Sequence, residues 1–272
     1  MFRDYGPRRA RNRARLAFLL EEWGVDRFRQ ELERRVGERL LAQGRDARVT
    51  RHHDHLGISR QKESGLCAVG LNVPVGRITA DQMFDLARVA RRYGSGDVRI
   101  TTTQNVIIPN VAERVLPEMT GEPLLRELRH DPSNMMRGVV SYTGIDYCHM
   151  ALIETKELAL KTARELDERL GPVKKLLTMH WSGCPAGCGN HTGSDIGLLG
   201  KKVKIGDEIV DAVDVFVGGH SGPNAKAGTK ILEDVPCSDL PRVLEQVIPY
   251  VTNKRSVRNS NKEVTVGVPA RA

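Results

Sequence analysis

The segment HWSGCPAGCGNHTGSDIGLLG, residues 180–200, has the composition of a loop whose backbone can lie close to a large bound group. Cys184 and Cys188 are separated by three residues, and glycine or proline interrupts the stretch at Gly183, Pro185, Gly187 and Gly189. Glycine costs backbone entropy in a helix and proline removes a hydrogen-bond donor, so the pattern disfavours a helix. Because little side-chain bulk surrounds the two thiols, the backbone can come close to an inorganic cluster or a macrocycle.

Three kinds of chemistry fit Cys184 and Cys188. A zinc site would recruit His180 and His191, since zinc accepts nitrogen and sulfur ligands in a tetrahedron. A redox dithiol usually has a two-residue spacing, which this pair lacks. An iron–sulfur cluster needs soft thiolates, normally four, and Cys148 is the natural third ligand because it follows a strand-like segment. The spacing favours the cluster and leaves zinc and inert thiols open.

Length and composition indicate a globular protein with a substantial core. A chain of 272 residues can form one large or two modest domains. No apolar run is long enough to span a bilayer, and the Arg-rich N-terminus lacks the apolar segment of a signal peptide. The five unevenly spaced cysteines argue against a disulfide framework. We therefore predict a cytoplasmic protein that does not associate with a membrane.

The chain is basic, with a net charge of +8. Such a surplus is compatible with a nucleic-acid partner, but much of it lies in an N-terminal arm, residues 3–15, with few interleaved aromatic residues for base stacking. An acidic protein partner or a carboxylate-rich cofactor explains the charge equally well. Charge alone does not distinguish these partners. Because few aromatic residues accompany the basic ones, we predict no nucleic-acid partner.

Apolar periodicity predicts helices over residues 12–43 with a break at Gly24, from a capping box at Thr79 to Tyr93, and over residues 155–170. A last helix is expected after Ser238. His52, His53 and His55 are interpreted as part of a linker, because no cysteine or carboxylate frame accompanies them.

Alternating side chains predict strands over residues 66–75, over 98–103 continued by 106–108, near 176–181 and over 212–217, and residues 139–150 are strand-like at first and then irregular. The strand, helix and strand between residues 66 and 108 indicate an α+β module with helices on one face of a sheet.

Several motifs together resemble the C-terminal half of the ferredoxin-dependent nitrite reductase and sulfite reductase family. They include TGIDYCHMALIETK at residues 143–156 and the segment 183–200 that contains the two cysteines. HLGISRQKESGLCAVGLNVPVGRITADQM, residues 55–83, and VRITTTQNVIIPNV, residues 98–111, extend the resemblance. Nearly the whole chain is covered, and the combination of motifs is highly specific.

The resemblance implies an α+β fold made of a ferredoxin-reductase-like half-domain and a nitrite/sulfite reductase domain that holds a cluster and a sirohaem. We expect four segments. These are a helical arm and linker at residues 1–56, the ferredoxin-like half-domain at 57–125, the [4Fe-4S]/sirohaem domain at 126–255, and a polar tail at 256–272.

The resemblance also assigns cofactor residues. Cys148, Cys184 and Cys188 match cluster ligands of the family, and Cys188 matches the thiolate that also reaches the sirohaem iron. Tyr142 stands where the family has the first cysteine ligand. Because a phenolate oxygen is harder than sulfur, the corresponding iron would bind Tyr142, bind water or be lost.

Gln104 and Asn105 match the part of the family's sheet that faces the cofactor, which implies contact with sirohaem. A structural role in the strand is the alternative that the residues leave open.

The implied function is that of the electron-delivering half of a nitrite or sulfite reductase, which reduces nitrite to ammonia or sulfite to sulfide with six electrons. A ferredoxin or a flavoprotein would donate the electrons. The family's first half, which supplies most of the cationic residues around the anion, is absent from this sequence, so nitrite and sulfite both stay open. A separately encoded first half or a second copy of the chain would complete the site. The alternatives are a non-catalytic iron–sulfur or sirohaem-binding subunit and a truncated family fragment.

Overall fold

The structure is a computed structural model that describes residues 1–10, 14–42, 44, 54–222 and 225–253. The chain divides into two compact units, Met1–Val49 and Thr50–Ala272. The first unit contains α1 (Phe2–Tyr5) and α2 (Leu16–Val36).

The predicted break in α2 is confirmed, because Gly24 has φ 73° and ψ 164° inside the helix. The helix ends at Val36, earlier than predicted, since Gly37 adopts a left-handed φ of 85° that stops it. Residues 12, 13 and 43 of the predicted helix lie outside the described residues, as do His52, His53 and the predicted tail.

The second unit begins with a four-stranded antiparallel sheet whose strands lie in the order β1-β2-β4-β3. Its strands are β1 (Gly57–Arg60), β2 (Leu66–Leu71), β3 (Arg99–Ile100) and β4 (Val106–Ala112). The helix α3 (Ala80–Tyr93) follows the predicted capping box, in which Gln82 N donates to Thr79 Oγ1 at 3.2 Å and Thr79 N donates to Gln82 Oε1 at 3.0 Å. One face of α3 shares a core with β2 and β4.

The prediction of one strand from residue 98 to residue 108 is wrong. Gln104 has a left-handed φ of 66°, which turns the chain back so that Ile100 pairs with Val106 in an antiparallel hairpin. The strand predicted over residues 66–75 also ends early, at Leu71, because a 3-10 turn follows at Pro74–Gly76. β1 was not predicted, since only four residues form it.

A second sheet has the order β5-β6-β7-β8-β9. β5, β6 and β7 run parallel, whereas β7, β8 and β9 form an antiparallel meander. The strands are β5 (Val139–Ser141), β6 (Met179–Ser182), β7 (Ile196–Ile205), β8 (Glu208–Val217) and β9 (Thr229–Pro236). β7 and β9 were not predicted as strands.

Short helices α4 (Leu116–Thr120), α5 (Leu124–Glu127) and α6 (Asn134–Arg137) join the two sheets. Two longer helices, α7 (Lys156–Leu170) and α8 (Leu240–Asn253), share a core with the second sheet, in which Trp181 is fully buried. The predicted α+β class is confirmed. No helix in the described part of the chain is long and apolar enough to cross a bilayer.

Candidate metal centre

The loop between β6 and β7 carries Cys184 and Cys188 and is held through the side chains of Ser182 and His191. Gly189 N donates to Ser182 Oγ at 3.1 Å, and His191 Nδ1 lies 3.0 Å from the same oxygen. A Cβ atom at Gly189 would stand 1.9 Å from the carbonyl oxygen of Trp181, so only glycine fits there. The predicted glycine-rich loop therefore exists, and its glycine content allows a close approach to the neighbouring strand.

The two cysteines of this loop differ in exposure. The thiol-bearing residue Cys184 is 7% exposed, whereas Cys188 is exposed at the surface. Gly187 N donates to Cys184 O at 3.1 Å, which forms a turn between them. Of the two thiols on this loop, that of Cys188 is therefore the one that a large group outside the loop can reach.

Cys148 lies on a second loop, between β5 and α7, that is bonded to the first. Its amide donates to Gly144 O at 3.1 Å, and Ala151 N donates to Cys148 O at 3.0 Å. Leu152 N then donates to Gly183 O at 2.8 Å, one residue before Cys184. Two segments more than thirty residues apart in sequence are joined here by direct backbone hydrogen bonds.

Tyr142 directly follows β5, and its hydroxyl group lies close enough to the thiols of Cys148 and Cys188 for their charges to act on it. Hydrogen bonding to Cys148, with the negative charge of the two thiolates, raises the pKa of Tyr142 to about 12. The same hydrogen bond lowers the pKa of Cys148. The structure therefore brings the phenol and two of the three predicted thiolates to one place.

The zinc hypothesis does not hold for the described residues. Among them, no group of three or more His, Cys, Asp or Glu side chains could hold a single metal ion. Thiolates that share one zinc stand about 4 Å apart, since each Zn–S bond is about 2.3 Å long. The ring nitrogens of the two histidines are engaged within the protein instead: His180 Nδ1 lies 3.3 Å from Asn190 O, and His191 Nδ1 lies 3.0 Å from Ser182 Oγ.

The donor set fits an iron–sulfur cluster at three of four positions. Each ligand of such a cluster binds a different iron, so the thiolates need not converge on one point. Cys148, Cys184 and Cys188 supply soft sulfur on two connected loops that glycine keeps free of bulk. At the fourth position Tyr142 presents oxygen, a harder donor.

Gln104 and Asn105 both hold protein backbone. Gln104 Nε2 donates to Ser141 O at 2.7 Å, and Ser141 N donates to Gln104 Oε1 at 3.0 Å. Asn105 is 2% exposed, and its Oδ1 accepts from Asn72 Nδ2 and Val73 N, each at 3.0 Å. These bonds support the structural alternative, in a turn rather than a strand, and contact with sirohaem stays a prediction.

Two cations, Arg77 and Lys156, join the half-domain to the cysteine loops through contacts that the sequence does not reveal. Arg77 pairs with Asp146 at 2.6 Å and with Glu157. Lys156 is buried, its Nζ donates to Val75 O, and desolvation by burial lowers its pKa. Contacts of charged side chains that span some 70 to 80 residues have no local spacing that would reveal them.

Two family models match the chain. A nitrite/sulfite reductase ferredoxin-like half domain matches residues 59–125, and a nitrite and sulphite reductase 4Fe-4S domain matches residues 1–40 and 133–263. The chain belongs to the nitrite and sulfite reductase family. The resemblance seen in the residues is thereby confirmed, including the presence of the family's 4Fe-4S domain.

Members of the family from bacteria, plants and archaea are similar in sequence. A ferredoxin–nitrite reductase of Synechococcus elongatus is 43% identical over 248 residues, which are 91% of this chain and 48% of the relative. The chloroplastic enzyme of Spinacia oleracea is 40% identical over 91% of this chain and 42% of the relative. An assimilatory ferredoxin-dependent nitrite reductase of Haloferax mediterranei is 34% identical over 91% and 44%. The chain thus spans about half the length of these relatives.

Solved structures agree with this relationship. The NirA protein of Mycobacterium tuberculosis has a TM-score of 0.85 and 30% identity, and the match covers 96% of this chain and 48% of that one. A dissimilatory sulfite reductase I has a TM-score of 0.55 at 14% identity, covering 70% and 63%, which shows a shared fold alone.

Proposed function

We propose that the chain is the cluster- and sirohaem-binding, electron-delivering half of a ferredoxin-dependent nitrite reductase, an enzyme that reduces nitrite to ammonia with six electrons. The observation that carries the proposal is the bonding of the Cys148 loop to the Cys184 loop through Leu152 N and Gly183 O. The relatives from three kinds of organism are all named for nitrite, which favours nitrite over sulfite as the substrate.

Three thiolates and one phenol would hold the [4Fe-4S] cluster. Cys148, Cys184 and Cys188 are the sulfur donors, and Tyr142 faces the iron that lacks a thiolate. The cluster, when bound, supplies storage and transfer of single electrons, and sirohaem supplies the iron that binds the anion. Cys188 is the thiolate proposed to be shared between them, in agreement with its exposure at the loop surface.

The chain's own residues prepare this centre. Ser182 Oγ accepts from Gly189 N and is hydrogen-bonded to His191 Nδ1, and these two bonds hold the loop that carries Cys184 and Cys188. Arg77 neutralises Asp146, a carboxylate two residues before Cys148, and ties that loop to the half-domain. Ordered loops keep the thiolates in place before any iron arrives, which lowers the cost of binding it.

The rest of the family's enzyme is needed to complete the anion site. We propose that a ferredoxin is the donor and that the cationic anion-binding residues come from a first half, encoded with this chain or separately, or from a second copy. A cytoplasmic location belongs to the same proposal.

Optical spectra of protein purified without oxygen test the function. We expect sirohaem bands and consumption of nitrite with reduced methyl viologen when the chain is produced together with a family first half. A broad cluster absorption without haem bands would instead support a non-catalytic iron–sulfur subunit, which the tyrosine at a ligand position favours as the second candidate. Colourless, iron-free protein under these conditions would refute both and support a family fragment without the chemistry.

A further inference from the structure

We propose that Gln104 is a positioning residue for the candidate metal centre: its side-chain amide holds the backbone of Ser141 and so fixes the place of Tyr142. The consequence for iron rests on the function proposed above. The positioning itself rests only on contacts within the chain.

The amide of Gln104 acts as a short extra strand beside β5. β5 is the edge strand of its sheet, and it pairs with β6 on one side only. On the other side, Gln104 donates to Ser141 O at 2.7 Å and accepts from Ser141 N at 3.0 Å. A carboxamide carries the same donor and acceptor as a peptide group, so it replaces one residue of a missing neighbouring strand.

The backbone around Gln104 is shaped to aim this amide. Gln104 has a left-handed φ of 66° at the tip of the β3–β4 turn, where its backbone N donates to Thr101 O at 3.3 Å. Left-handed backbone is uncommon for residues other than glycine and persists where the surroundings fix it. A Cβ atom at Gly76 would stand 2.8 Å from Gln104 Cβ, so a glycine at that position leaves the space that the glutamine side chain uses.

Lys156 makes a second connection to the same carbonyl group. Its buried Nζ lies 3.4 Å from Ser141 O and also donates to Val75 O. Val75 itself has a left-handed φ of 50°, which is rare for a β-branched residue. Two side chains from separate elements therefore hold Ser141. Gln104 packs against Gly76, and Lys156 donates to the carbonyl group of the preceding residue, Val75.

Fixing Ser141 fixes Tyr142, because the next backbone groups are bonded as well. Tyr142 N donates to Trp181 O at 3.0 Å, and Thr155 Oγ1 donates to Tyr142 O. With its peptide groups held on both sides, Tyr142 has only its side-chain torsions left, and its hydroxyl lies beside Cys148 and Cys188. A shift of Ser141 would move the phenol relative to both thiols.

The test substitutes Gln104→Asn. Asparagine tolerates left-handed backbone well, so the turn is kept, but its side chain is one methylene too short to reach Ser141. Gln61→Asn is the matched control, since Gln61 bonds Asn110 through both ends of its amide, at 2.7 and 2.8 Å, within the half-domain alone. The full chain without iron is labelled with 3-fluorotyrosine, and Tyr142→Phe identifies the fluorine resonance of Tyr142.

We expect Gln104→Asn to shift or broaden the Tyr142 resonance and Gln61→Asn to leave it unchanged. After anaerobic reconstitution, iron retention against a chelator should fall about ten-fold in Gln104→Asn only, as for other residues that orient metal ligands. If Gln104→Asn lacks a folded circular-dichroism spectrum, Gln104→Met serves instead, because it keeps the length of the side chain without its hydrogen bonds.

Two results would overturn the proposal. One is an unchanged Tyr142 resonance in a folded Gln104 variant, and the other is a shifted resonance with iron retention equal to that of the unsubstituted chain. If the unsubstituted chain takes up no iron at all, the proposed function fails, while the fluorine comparison still decides whether Gln104 positions Tyr142.

Discussion

On the proposed ligand assignment, Tyr142 puts oxygen where the family has a cysteine, and introducing a thiol at this position tests the assignment directly. We expect Tyr142→Cys to raise the iron content after reconstitution towards the full cluster, because a fourth soft ligand replaces a harder one. Iron and sulfide analysis with electron paramagnetic resonance would measure the gain.

Tyr147→Cys is the control for this prediction. Tyr147 lies on the same loop, but it is 83% exposed and matches no ligand position. Its substitution should leave iron content unchanged. Equal gains in both variants would mean that any added surface thiol recruits iron, and the assignment of Tyr142 would be wrong.

Cys188 and Cys237 allow a proposed ligand to be compared with a cysteine that matches no ligand position. Cys237 is partly buried, and burial raises the pKa of its thiol to about 12, so it is a poor metal ligand. Cys188→Ser should abolish the spectroscopic coupling between sirohaem and cluster, whereas Cys237→Ser should leave the optical and paramagnetic spectra unchanged. Similar losses in both variants would contradict the role of Cys188.

The sequence singles out candidate ligands, but it does not reveal the residues that hold the backbone around them. Cys184 and Cys188 stand out because glycine and proline surround a short spacing, and a motif identifies Cys148. The bonds of Gln104 to Ser141 could not be predicted, since they join backbone to side chain across 37 residues and depend on a left-handed turn.

Helix α3 begins at a capping box whose two residues, Thr79 and Gln82, are evident from the sequence. Removing the hydroxyl in Thr79→Ala should lower the free energy of unfolding by about 1 kcal/mol, because Gln82 N loses its acceptor. Urea denaturation would measure the change. Thr120→Ala is the control, because the hydroxyl of Thr120 donates to Pro117 O and does not cap a helix. This substitution should change the free energy of unfolding by less than about 0.5 kcal/mol. An equal loss in both would assign the effect to threonine in general.

The buried carboxylate of Asp214 on β8 is hydrogen-bonded to β7 and β9. We therefore predict that the stability of the protein depends on pH. Burial opposes ionisation of Asp214, but hydrogen bonds from Lys201 and from Asp234 N overcome it and hold its pKa below the ordinary value. The stabilisation is therefore complete above the unfolded pKa of about 3.9 and is lost as pH falls through the folded value.

Asp214→Asn should remove this stabilisation. We expect a loss of about 1.5–3 kcal/mol at pH 7, the range for a hydrogen bond to a charged group, with the two proteins converging below about pH 4. Thermal unfolding followed across pH would show it. A constant difference at every pH would mean that packing, not charge, accounts for the loss.

At this scale the sequence predicts helices more reliably than strands. α3 and α7 were predicted because their apolar stripes recur over at least 14 residues. β7 was missed because its second half has lysines alternating with partly buried residues beyond the protein core. β3 and β4 were merged because a hairpin turn made of Thr, Gln and Asn lacks the glycine that usually marks one.

For the whole molecule, length is the decisive property. The chain spans about half of its relatives, so nitrite reduction should require the other half. We expect no nitrite consumption with methyl viologen by the chain alone, and measurable consumption when a family first half is produced with it. Size-exclusion chromatography would separate a complex of the two halves from a dimer of this chain. Full activity of the chain as a monomer would contradict this expectation.

The parallel order of β5, β6 and β7 has a consequence for biosynthesis. Val139 pairs with Met179, and Met179 pairs with Ile196, so each pairing waits for a distant strand. Non-local pairings of this kind form late, after the intervening helix has been made. We therefore expect the three candidate sulfur donors to come together only after β6 has been made and has paired with β5, so that metal loading follows translation of the segment that ends at Cys188.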